Sequence, residues 1–144
     1  MPTIRNARGI DIVASKDGQV VNIQVKTNSY GKIRYPMSKG DEEWSDDLYY
    51  VCVTLKGEKE RPDFYILPSK LVAEYIRETH KIFVHSEPRR RKTNETSAER
   101  EKRRKESNIR QFPNYLGDRI PEFKDFSINN HKDQWGILEK SEKT

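Results

Sequence analysis

Residues 8–27 read RGIDIVASKDGQVVNIQVKT, and their reading decides the fold. Two alternating apolar runs flank Asp17-Gly18, a dipeptide suited to a type I′ turn, which needs φ > 0 at both central residues. With Asp17 and Gly18 as a two-residue loop the register is fixed. Lys16 pairs with Gln19, Ala14 faces Val21, Ile12 faces Ile23 and Ile10 faces Val25, which makes one continuous apolar face. On the opposite face Asp11 lies across from Gln24, Val13 faces Asn22, and Lys26 is the diagonal neighbour of Asp11. Directly opposed Cβ atoms lie about 4.5–5.5 Å apart and diagonal ones about 7–8 Å. An acid, an amide oxygen and an ammonium thus converge on a small polar patch.

Such a patch can hold a divalent metal against a phosphate. Gly9-Ile10-Asp11, a short hairpin, then Gln24-Val25-Lys26-Thr27 resembles the core of the PD-(D/E)xK nuclease superfamily. The resemblance runs from Gly9 to Thr27. It implies a metal-binding acid at Asp11, a second metal ligand at Gln24 and a catalytic lysine at Lys26. It also implies nucleic-acid substrates, magnesium, and a mixed sheet in the order helix, three strands, helix, strand. Two departures stand out. Gln24 replaces the more usual Glu, keeping a carbonyl oxygen for a hard cation but not the charge, so metal affinity should fall. Only Met1 to Arg8 precede the hairpin, with no Asp or Glu among them. The expected core is therefore an α/β (α+β), restriction-endonuclease-like one that lacks its N-terminal helix and first strand, or takes them from a second chain.

The 144 residues suit a single domain. Apolar residues make up 33% and charged ones 35%, so the core is expected to be small. A net charge of +5 allows an anionic partner. The single cysteine, Cys52, sits in the apolar run from Tyr49 to Leu55 and reads as a buried small hydrophobe rather than a nucleophile. No apolar stretch suffices to span a membrane, and no secretory h-region is visible, so a soluble cytoplasmic protein is expected.

The nuclease-like sheet and helix are assigned to residues 1–85. Residues 28–47 read as a polar loop broken by Gly31, Pro36 and Gly40. Their acids Asp41, Glu42, Glu43, Asp46 and Asp47 could supply a further metal ligand, but read better as a solvated loop. Strands follow at Leu48–Leu55 and Asp63–Leu67, the second ended by Pro68. A helix capped by Ser69 runs to about Thr79, with Leu71, Val72, Tyr75 and Ile76 on one face.

Residues 86–111 read as a basic, polar insert or linker. From 88 to 110 there are ten Lys or Arg and four Glu, a surplus of six positive charges. Arg89, Arg90, Arg91, Lys92, Arg103 and Arg104 are candidates for contacts to nucleic-acid phosphates. The alternative is a solvated insert containing a frayed charged helix from Ser97 to Ser107. Residues 112–144 read as a C-terminal segment packing on the core. There Phe112, Tyr115, Phe123 and Phe126 are expected to cover the sheet rather than stack on bases, and a short helix at Asn130–Leu138 to dock Trp135 and Leu138. The polar tail from Glu139 to Thr144 is expected to be disordered. His80, His85 and His131 are scattered and read as surface or packing residues.

The expected function is a magnesium-dependent nuclease or nuclease subunit acting on DNA. Asp11, Gln24 and the Val25 carbonyl would hold the metal, and Lys26 would stabilise developing charge. The alternative is a catalytically inactive nucleic-acid-binding or protein-interaction module. In that case Asp11 and Lys26 form a cross-strand ion pair worth about 0.2–1 kcal/mol. With no strand before Asp11, the sheet edge and the apolar face of Ile10, Ile12 and Ala14 would be uncovered. A homodimer or a partner chain completing the sheet is then expected.

Overall fold

A computed structural model describes residues 10–29, 31–32, 34–88 and 94–139. The hairpin forms in the expected register: β1 (Ile12–Lys16) and β2 (Gln19–Ser29) pair antiparallel, with Ile12 opposite Ile23, Ala14 opposite Val21 and Lys16 opposite Gln19. Asp17 and Gly18 sit at φ 52° and 81°, the left-handed pair a type I′ turn requires. The ladder stops at Ile12, short of the expected pairs Ile10–Val25 and Asp11–Gln24. The reason is local: the Asp11 N–H bonds the Ile23 carbonyl at 2.8 Å, and the Asp11 carboxylate takes the Val25 N–H, also at 2.8 Å. A side chain has replaced a ladder carbonyl, a competition that Asp wins easily.

β4 (Leu48–Leu55) lies parallel to β2, and β5 (Asp63–Pro68) antiparallel to β4, giving a mixed sheet in the order β1-β2-β4-β5. With the two α-helices among the described residues this is an α/β fold. The parallel step demands a crossover. The stretch read as a plain polar loop, 28–47, supplies it with more structure than expected. β2 continues to Ser29, β3 occupies Tyr35–Ser38, and a 3-10 turn spans Lys39–Glu42. The partner of β3 is β6 (Ile109–Phe112), over seventy positions away, which no local pattern could reveal.

α1 (Ser69–His85) runs well past Thr79, since Ile82, Phe83 and Val84 continue its apolar spacing. Ser69 does not cap it. Pro68 is the N-cap, and the Ser69 hydroxyl donates to the Ser45 carbonyl. α2 (Ser97–Glu106) is a capped helix rather than a frayed one. Thr96 and Glu99 form a reciprocal capping box, and Arg100 and Arg104 are buried.

The sheet has two buried faces. On one, Tyr50, Cys52, Tyr65 and Leu67 pack beneath Val72, Tyr75 and Ile76 of α1, with Phe112 and Phe123 closing the cluster. Phe112, Phe123 and Phe126 all meet the Tyr75 ring, as covering aromatics should, whereas Tyr115 is half exposed. On the other face Val21, Ile23, Tyr49, Val51, Val53 and Ile66 form a second cluster. The C-terminal segment forms short 3-10 turns at Ile128–His131 and Trp135–Leu138 rather than one helix, and only the second lies on this face, since Ile128 packs on the first cluster. Ile137 and Leu138 pack on the second cluster, Trp135 meets Phe64, and Glu139 ion-pairs with Lys16. β1 stays poorly covered, with Ile12 and Val13 both exposed. No helix among the described residues is long and apolar enough to cross a membrane.

Candidate functional site

The parallel register of β2 and β4 sets Gln24 beside Tyr50 and Lys26 beside Cys52. Alternation then puts Gln24, Lys26 and Asn28 on the face that α1 covers. A polar row entering a buried face must find partners. The crossover delivers them. Asn28 donates to the Arg34 carbonyl and accepts from the Thr54 hydroxyl, and Thr54 Oγ1 in turn lies 2.6 Å from the Tyr35 hydroxyl.

Lys26 meets Asp41, the acid that the sequence suggested was solvated. The Lys26 Nζ–Asp41 Oδ2 distance is 3.1 Å, with side-chain exposures of 17% and 5%. Oδ2 also accepts from the Ser38 N–H at 2.8 Å, while Oδ1 accepts from the Tyr50 hydroxyl at 2.6 Å. Burial alone would raise the Asp41 pKa. The Tyr50 and Ser38 hydrogen bonds and the Lys26 ammonium overcome it, and the carboxyl stays below its ordinary value of 3.8. Burial, then the bond to Asp41, pushes the Tyr50 phenol upward. Burial likewise pushes the Cys52 thiol up to about 12, so Cys52 is an inert core residue.

The Asp11 carboxylate lies on the exposed flank of β2, held by the Val25 N–H. In a strand a residue's N–H and C=O leave on the same flank, so the Val25 carbonyl shares the Asp11 side of β2. Gln24 lines an open cavity of about 450 Å³ together with Asp41, Glu43, Trp44 and Tyr50. Lys70 Nζ stands over the Trp44 ring at 5.2 Å from its centroid. Asp11 and Val25 are therefore in direct contact, and Gln24 and Lys26 both border Asp41. Lys26 takes its counter-ion from the crossover, at Asp41, and not from the facing strand as a cross-strand pair with Asp11 would require.

Among the described residues no three His, Cys, Asp or Glu side chains cluster to hold a metal. Asp11, the Gln24 amide and the Val25 carbonyl offer hard oxygens, the donor type magnesium takes, with a single charge among them.

Arg103 grips Glu95 through Nε and Nη2 at 2.7 and 3.0 Å. Arg104, 6% exposed, donates to the Phe83 and Ser86 carbonyls at 2.6 Å each and so closes the C-terminus of α1. Both expected phosphate-binders therefore already have structural partners. Arg89, Arg90, Arg91 and Lys92 lie outside the described residues.

Sequence reading missed Asp41 and Tyr50 as site residues. One signal was present: Ser38 and Asp41 have the i, i+3 spacing of a capping box, and that box forms. Comparison with protein-family models, curated proteins and solved structures finds no match.

Proposed function

We propose that the protein is a magnesium-dependent nuclease, or a subunit of one, hydrolysing phosphodiester bonds in DNA. The observation that carries this reading is the β1–β2 hairpin, which brings the Asp11 carboxylate onto Val25, between Gln24 and Lys26. The PD-(D/E)xK resemblance gives Asp11 the role of metal-binding acid, and this contact beside Gln24 and Lys26 in the chain supports that reading. Asp11, Gln24 and the Val25 carbonyl would hold the ion. Bound magnesium supplies a Lewis acid for the scissile phosphate and lowers the pKa of a coordinated water. Lys26 stabilises charge developing on the non-bridging oxygens as water adds to phosphorus and the bond to the leaving oxygen breaks. Asp41 and Tyr50 position Lys26. The test is magnesium-dependent plasmid nicking: wild type nicks, and Asp11→Asn does not. Nicking retained by purified Asp11→Asn rejects the assignment.

A second reading rests on the Lys26–Asp41 ion pair and on the neutral Gln24. An ammonium already matched to a carboxylate, beside a site with one acid, suits a nucleic-acid-binding or interaction module that does not cleave. Salt-dependent DNA binding without magnesium-dependent nicking would select it.

A further inference from the structure

The C-terminal half of α1, α2, β6 and the 3-10 turn Tyr115–Arg119 surround an open cleft of about 490 Å³. It shares no lining residue with the cavity beside Gln24 and Asp41. Arg34, Arg103, Arg104 and Arg110 line it, and Glu87 is its one acid among the described residues.

These arginines are held in place. Arg110, 5% exposed, bonds Glu42 at 2.7 Å and the Ser107 carbonyl at 2.8 Å. Glu95 fixes Arg103. Arg34 and Arg104 differ, because among the described residues they donate to neutral oxygens: Arg34 to Gln111 Oε1, and Arg104 to the Phe83 and Ser86 carbonyls. Their charges are therefore oriented without being cancelled by a contacting carboxylate. Each guanidinium also stands over a ring, Arg34 at 5.8 Å from the Tyr115 centroid and Arg104 at 4.3 Å from that of Phe83. Tyr115 keeps 51% of its surface exposed at the rim.

A positive cleft with an exposed ring beside a fixed guanidinium offers two attractions at once, one for phosphate and one for a flat π-system. An acidic peptide would use only the first. A duplex keeps its base faces stacked inside and could not offer them to Tyr115. We propose that this cleft binds single-stranded nucleic acid, seating a base against Tyr115 and its adjoining phosphates at Arg34. This inference does not depend on phosphodiester hydrolysis.

The test is fluorescence anisotropy of the full chain with a short labelled oligothymidylate in EDTA, where no metal-dependent cleavage occurs. Tyr115→Ala should weaken binding about tenfold, and Tyr115→Phe should leave it within about twofold, because stacking needs the ring and not the hydroxyl. Arg34→Gln should weaken binding and flatten the slope of log K against log salt by about 0.7. Unlabelled duplex and polyglutamate should compete poorly. The proposal is overturned if wild type does not bind, if Tyr115→Ala binds like wild type, or if Tyr115→Phe is as weak as Tyr115→Ala. Equal competition by duplex or polyglutamate overturns it too. Should Tyr115→Ala lose its thermal transition, Arg34→Gln decides alone: unchanged affinity and slope reject the site. The nicking assay is read separately, so nuclease activity can fail while this binding stands.

Discussion

Replacing Asp41 with Ala should destabilise the fold by about 3 kcal/mol. The carboxylate accepts hydrogen bonds from Lys26 Nζ, the Ser38 N–H and the Tyr50 hydroxyl. Tyr50 is 1% exposed, so its stranded hydroxyl alone costs about 1–3 kcal/mol. Removing one partner of a buried ion pair costs about 3–5 kcal/mol. Lys26 keeps some access to water, which places the total near the lower end of that range. At this chain length such a loss lowers Tm by on the order of 10 °C. Asp41→Asn, which keeps an acceptor but loses the charge, should cost about half as much. Urea unfolding of Asp41→Ala, Lys26→Met and the double variant measures the coupling, expected at about 1 kcal/mol or more. The pH dependence has a definite sign. The folded Asp41 pKa lies below the unfolded value of about 3.8, so its contribution is complete above that value and is lost as pH falls through the folded pKa. The gap between wild type and Asp41→Asn should hold from neutral pH to about pH 4 and close below it. A cost under about 0.5 kcal/mol, or additive single variants, would refute the buried-pair account.

Asp11→Asn should abolish magnesium-dependent nicking while moving Tm little, since the Asn carbonyl can still accept the Val25 N–H; a large Tm drop in differential scanning calorimetry would instead make Asp11 a structural residue. Gln24→Glu should tighten magnesium binding in titration calorimetry, because a carboxylate replaces a neutral oxygen; an unchanged affinity removes Gln24 from the ligand set. Neutralising Arg89, Arg90, Arg91 and Lys92 together should flatten the salt slope of duplex binding by about 0.9 for each phosphate the run neutralises, and an unchanged slope makes the run a solvated one. Sedimentation at micromolar concentration should reveal a dimer pairing through the β1 edge, where Ile12 and Val13 are exposed; a stable monomer would mean that the turn at Trp135–Leu138 covers enough of the apolar face.

What the sequence made legible is local. The Asp17-Gly18 turn fixed the β1–β2 register, and the apolar run from Tyr49 to Leu55 marked the central strand. The features it hid depend on distant partners. β3 is a four-residue segment containing Pro36, and its pairing with β6 joins positions with no shared local pattern. Arg100, Arg104 and Arg110 look like solvated charge in composition. Each is buried because a carboxylate or helix-terminal carbonyl elsewhere in the chain lies within its reach. Asp11 shows the limit even within the hairpin, where period-two alternation predicts a further pair and one carboxylate–amide bond ends the ladder instead.

The Lys26–Asp41 pair bears directly on the choice between cleavage and binding. A lysine that stabilises a pentavalent phosphate must lend its charge to that phosphate, and here the charge already lies 3.1 Å from a carboxylate. Two arrangements reconcile these demands. In one, Asp41 orients Nζ and the ammonium, with three donors, serves the carboxylate and the phosphate together. Asp41→Asn then lowers kcat, since orientation is lost, even though the net positive charge near substrate rises. In the other, the pair is purely structural and nothing is cleaved. Asp41→Asn then improves DNA affinity by removing a negative charge and leaves nicking absent at every magnesium concentration. Nicking by wild type and by this variant separates the two, because removal of the negative charge raises affinity in both and only the first arrangement gives wild type an activity for the variant to lose.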